Sequence, residues 1–133
     1  MKRRSFLKSS FLLSSSVLIP ENFLFNNKPN LKVGIIADVH QDIIFDGTKR
    51  IKKFLKDANK LNVDFVIQLG DFALPRKVNQ KFINSWNNYK GLKYHVLGNH
   101  DMVDFGFKKD ETMDWWGMNK RYYSFDKGGL HFI

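Results

Sequence analysis

The chain has 133 residues, 43% hydrophobic and 26% charged, a composition that supports one globular domain and excludes an intrinsically disordered polymer. It contains no cysteine, which excludes disulfide frameworks and thiolate metal sites, so a bound metal must be held by His, Asp, Glu, Asn or backbone oxygen. The formal net charge is +9, spread over lysines with no basic run and interleaved aromatics of the kind that marks a nucleic-acid groove.

The first element is Arg3-Arg4-Ser5-Phe6-Leu7-Lys8, followed by an apolar run from Phe11 to Ile19 and then Pro20. A basic segment before a short apolar one is the layout of a signal peptide. The run is shorter than the ~20 apolar residues of a membrane span, so no stable membrane span is expected. Paired arginines followed by Phe-Leu-Lys resemble the twin-arginine export signal. That resemblance implies the twin-arginine export machinery as a partner and a periplasmic or extracellular destination. Residues 1–28 are therefore read as signal peptide and linker, and residues 29–133 as the domain. Residues 1–28 carry +4 of the net charge, which leaves +5 on the domain. That charge reads chiefly as a solvated lysine surface, with a modest field that favours anions.

Leu31 to Ala37 is a β-branched apolar run ending at a polar cluster, which predicts a buried strand. Ile51, Phe54, Leu55, Ala58 and Leu61 recur at helical spacing with lysines opposite, which predicts an amphipathic helix over about residues 48–61. Val63 to Leu69 predicts a second strand, stopped by Gly70-Asp71. Val78, Phe82, Trp86 and Tyr89 fit one helix face. Tyr94 to Leu97 predicts a third strand, stopped by Gly98-Asn99. Asp110 to Trp116 predicts a short helix, with Trp115 and Trp116 packed rather than displayed. Tyr122 to Phe125 and Leu130 to Ile133 predict a hairpin across Lys127-Gly128-Gly129. The order β-α-β-α-β then a hairpin implies an α/β fold with a parallel sheet and right-handed crossovers.

Three strands end in Asp38-Val39-His40, Gly70-Asp71 and Gly98-Asn99-His100-Asp101. In a parallel sheet the carboxyl ends of the strands share one edge, so these clusters converge there. Their carboxylate, amide and imidazole groups suit Mn, Fe or Zn rather than copper or an iron–sulfur cluster. Turn chemistry accounts for any one cluster. It does not account for three in order, each after an apolar run, with histidines at these offsets.

Asp-x-His, Gly-Asp and Gly-Asn-His-Asp, spaced in this way, resemble the calcineurin-like metallophosphoesterase superfamily over residues 31–133. The resemblance implies the N-terminal part of an αββα sandwich and hydrolysis of phosphate mono- or diesters at a two-metal centre. It places Asp38 and His40 on a first metal, Asp71 as a bridge between both metals, and Asn99 on the second. It makes His100 the group that faces the phosphate and protonates the leaving oxygen. Where some members carry an acid three residues after the bridging Asp, this chain has Leu74, so Asp101 or Asp42 is expected to orient His100. The first motif and the residues after Gly-Asp disfavour the purple acid phosphatases. The family's later His and Gly-His-x-His element are not in the sequence; His131 and His95, both inside strands, are not expected to replace them. The alternatives are a non-catalytic remnant that holds one metal weakly, or an anion-binding module.

Overall fold

The computed structural model describes residues 30–102 and 108–133; the proposed signal segment, with Arg3 and Arg4, lies outside the described residues. Strand β1 (Val33–Ile36) leads to helix α1 (Gly47–Leu61), strand β2 (Phe65–Gln68), a 3-10 turn (Lys77–Asn79), helix α2 (Gln80–Asn87) and strand β3 (Lys93–His95). A second 3-10 turn (Asn99–Asp101), helix α3 (Lys109–Trp116) and strands β4 (Phe125–Lys127) and β5 (Leu130–Phe132) follow. The first three strands form one parallel sheet in the order β1-β2-β3, with Val33 opposite Phe65 and Gln68 opposite His95. The α/β class and the predicted order of elements therefore hold.

Strand alternation sorts the side chains onto two faces. On the helix side, Gly34 lets Phe54 of α1 approach the strand: a Cβ there would lie 3.2 Å from the Phe54 ring and 3.0 Å from Val66. Ile51, Leu55 and Ala58 bury the matching stripe of α1 while Lys52, Lys53, Lys56 and Lys60 stay exposed. The helix ends where Asn62 turns left-handed and donates its N–H back to Ala58 and Asn59. Phe72 meets Phe82 and Trp86 edge to face and Trp116 at a tilt, closing the core, with Phe72–Phe82 centroids 4.8 Å apart. Burial of each such ring contributes roughly 1.5–3 kcal/mol.

On the other face, Phe125 of the hairpin stacks on Tyr94 at 3.6 Å, and Phe132 meets Phe65 edge-on at 5.3 Å. Gly128 (φ 59°) and Gly129 (φ 78°) make the two-residue turn between β4 and β5, since both positions need the left-handed region. Two expectations need correction. Val78 is not on the buried face of α2; it lies in the preceding 3-10 turn and is 82% exposed. The hairpin strand starts at Phe125, not Tyr122. Tyr123 stays outside the ladder because its hydroxyl accepts from His95 N (2.9 Å) and donates to His95 O (2.5 Å), closing the open edge of β3.

His95 is buried beneath the sheet end, its Nε2 accepting from Trp86 Nε1 at 2.5 Å. Burial, with help from the Lys93 charge, lowers its pKa from 6.5 to about 3. A second ring proton would also face the Trp86 donor. The folded ring therefore stays neutral where the unfolded ring takes a proton. The stability this preserves is complete above pH 6.5 and is lost as pH falls from 6.5 towards 3. The metal-free protein should lose about 1.4 kcal/mol of unfolding free energy per pH unit over that window from this group. Urea titrations across the window should show a shallower slope in His95→Gln, and an unchanged slope would contradict the assignment.

Candidate metal centre

Beyond their last strand residues, the tails of β1 and β2 continue side by side. Asp38 N donates to Gly70 O (3.1 Å), His40 N to Asp71 O (2.9 Å) and Gln41 N to Phe72 O (3.1 Å). This lacing sets Asp38 and His40 against Gly70-Asp71. Four non-glycine residues have left-handed φ among the described residues: Asp38 (52°), His40 (46°), Asp71 (52°) and Asn62. Asn62 caps α1; the other three are three of the four predicted ligands, Asn99 being the fourth. Such conformations cost of order 1–3 kcal/mol each and persist where the surroundings over-determine them.

His40 Nε2 lies 3.8 Å from Asp38 Oδ1 and 3.7 Å from Asp71 Oδ2. Two donors on one cation with bonds of ~2.1 Å are at most ~4.2 Å apart, so this donor set fits a divalent ion. His40, Asp71 and His100 also form a cluster whose donor atoms lie within 4.8 Å of one another, and the two imidazoles meet edge to face at 4.9 Å. Asp71 Oδ1 accepts from His100 N at 3.0 Å, so this one carboxylate faces the β1 tail with one oxygen and the β3 tail with the other. His40 and Asp71 are about one-fifth exposed, whereas Asp38 is 70% exposed. Asn99 opens the second 3-10 turn and is exposed. The sheet edge thus gathers Asp38, His40, Asp71 and His100 by side-chain distance, and Asn99 by chain position.

A shell of backbone-directed polar groups holds these loops. Asp101, fully buried, accepts from Phe72 N (2.7 Å) and Ala73 N (3.0 Å) through Oδ1 and from Gly98 N (2.9 Å) through Oδ2. Burial raises its pKa and the Asp71 charge adds to that, while the three amide donors oppose it. Asp42 accepts from Leu74 N (2.6 Å) and Asn79 Nδ2 (2.5 Å). The bonds these two carboxylates make here run to the loops after β2 and β3 and to Asn79, where they pair amides that would otherwise be left without partners, and an orienting role of Asp101 or Asp42 towards His100 stays a proposal.

A family model for the calcineurin-like phosphoesterases matches residues 31–132. The chain belongs to that family. No curated protein and no solved structure gives a match. In this calcineurin-like phosphoesterase chain, the Gly-Asn-His-Asp motif has two layers of purpose: His100 enters the site, and Asp101 braces the loops that form it. The bracing residue Gln68 was missed in the sequence. Its Oε1 accepts from Gly70 N (2.7 Å) and its Nε2 donates to Val96 O (2.8 Å), tying the loop after β2 to β3. The signal was an amide inside the apolar run Phe65-Val66-Ile67-Gln68-Leu69, since a buried amide must find partners. Arg50, also missed, reaches from α1 to Val39 O at 2.5 Å. His95 and Trp116 are packed in the core as expected, and His131 pairs with Asp126 at 2.7 Å on the hairpin. No helix among the described residues is long and apolar enough to cross a membrane.

Proposed function

We propose that the protein hydrolyses phosphate mono- or diesters with divalent cations held at the ends of β1, β2 and β3. The observation that carries this reading is one imidazole nitrogen, His40 Nε2, within 4 Å of two carboxylates on separate strand tails, in a chain of this family. Asp38 and His40 would hold one cation, Asp71 would serve both cations, and Asn99 would hold the second. Two divalent cations, of Mn, Fe or Zn, would supply an acidified water and neutralise phosphoryl charge. His100 faces the ester and protonates the departing oxygen. The N-terminal segment acts as a twin-arginine-type signal, so phosphoesters outside the cytoplasm are the accessible substrates, a destination that cell fractionation reads directly.

The grouping of His40, Asp71 and His100 favours a second reading, in which His100 is itself a ligand of a single ion and no ester is turned over. His100→Gln separates the two. Under the hydrolytic reading, the full chain with Mn²⁺ turns over an aryl phosphate, and chelation abolishes the reaction. The variant then loses roughly 10²–10⁴-fold in kcat with its Mn²⁺ affinity retained. Loss of Mn²⁺ binding by calorimetry would make His100 a ligand, and no Mn²⁺-dependent turnover by the parent would refute the hydrolase.

A further inference from the structure

A cleft of about 480 Å³ runs from His40, Asp71 and His100 to an apolar rim made by Ile43, Phe45 and Val78. Its volume is that of a small-molecule site. The rim is unusually open for such side chains: Phe45 is 101% exposed, Val78 82% and Ile43 63%. Large apolar groups left in water beside a polar centre gain by covering one another's or a ligand's apolar surface.

Three polar groups of this cleft, Gln41, Asp42 and Asn79, already have partners within the protein. Asp42 takes Leu74 N and Asn79 Nδ2, Asn79 Nδ2 also donates to Leu74 O, and Gln41 Oε1 accepts from Thr48. Beside the Arg76 side chain, which also lines the cleft, the rim offers a ligand apolar contact at Ile43, Phe45 and Val78. It is also fixed relative to the metal centre. Ile43 N (2.9 Å) and Ile44 N (2.8 Å) both donate to His40 O, so the carbonyl of a candidate ligand anchors the loop that carries Phe45. The Asp42 carboxylate ties that loop to Asn79, next to Val78. Hydrogen bonds thus tie the loop that carries Phe45 both to His40 and to the residue after Val78.

Resting on the phosphoesterase reading above, we infer that the substrate carries a compact apolar group, aromatic or branched alkyl, on its phosphoryl centre, and that Ile43, Phe45 and Val78 receive it. The phosphoryl group lies at His40, Asp71 and His100, and the organic group extends along the cleft to Phe45. A ring laid on Phe45 gains stacking as well as burial.

The test is calorimetry of the full chain with Mn²⁺, using methylphosphonate, phenylphosphonate and inorganic phosphate as non-hydrolysable probes. Phenylphosphonate should bind about tenfold more tightly than methylphosphonate, the gain expected from partial burial of one ring. In Phe45→Ser the ratio of the two affinities should fall several-fold. Equal affinities in the parent protein, or a ratio untouched in Phe45→Ser and in the Ile43→Ser, Val78→Ser double variant, would overturn the inference and leave the phosphoesterase reading intact. Absence of Mn²⁺-dependent binding of inorganic phosphate would instead overturn both. A clear drop in Tm for Phe45→Ser would place that side chain against protein and also overturn it.

Discussion

Asp71→Asn should abolish Mn²⁺-dependent turnover of an aryl phosphate and weaken Mn²⁺ binding by at least ~100-fold, since even the outer partners of a metal ligand are worth about 10–100-fold. The substitution keeps volume and shape and removes one negative charge. It also forces a choice on the side chain. Oδ1 accepts from His100 N at 3.0 Å, and Oδ2 faces His40 Nε2 at 3.7 Å. An asparagine that keeps the first contact must put its oxygen there, which turns its NH₂ group towards His40. A donor then stands where a cation needs a lone pair. The opposite orientation sets two N–H groups against each other at His100. Either way the shared carboxylate is lost. Unfolding in the presence of chelator should stay close to that of the parent, because the core does not touch this charge. Parent-like turnover in the variant would eliminate the mechanism; parent-like Mn²⁺ affinity with lost turnover would move Asp71 from holding metal to acting on substrate.

What was legible in the sequence followed from repeated, local signals. The apolar runs ending at Asp38, Gly70-Asp71 and Gly98-Asn99 marked the three parallel strands, because a buried strand is an apolar run and its end needs polar turn residues. The stripe Ile51, Leu55, Ala58 gave α1 for the same periodic reason. Val78 misled because it sits one helical turn before Phe82, a spacing that periodicity alone cannot distinguish from a short 3-10 turn ahead of the helix. The role of Asp101 was illegible because nothing in the order of residues shows that the amides of Phe72 and Ala73 point towards the β3 tail. The left-handed backbone at Asp38, His40 and Asp71 was hidden too, since aspartate and histidine do not announce that region as glycine does. In the sequence Gly98 marks only the stop of the third strand; its φ of −89° is ordinary and its reason is steric.

That steric reason makes Gly98→Ala the second severe substitution. A Cβ at residue 98 would lie 2.1 Å from Asp71 Oδ1, 2.4 Å from Asp71 N and 2.9 Å from Asp71 Cγ. The carboxylate that faces both the β1 and β3 tails occupies the space a side chain would need. Rotation of Asp71 alone cannot relieve the clash, because its backbone nitrogen is involved. The loops after β2 and β3 must separate, and their separation strains the Asp101 bonds to Gly98 N, Phe72 N and Ala73 N together. Forced overpacking plus a weakened buried carboxylate should destabilise the fold by about 3 kcal/mol. For a domain of about one hundred residues that is a fall in Tm of roughly 12–24 °C. Mn²⁺ affinity should fall with it, since Asp71 moves. The two effects are read separately, by thermal unfolding in chelator and by calorimetry well below the lowered Tm. A variant with parent-like Tm and parent-like Mn²⁺ affinity would mean that the β2 and β3 tails do not meet as described, and the site built on their meeting would fail with them.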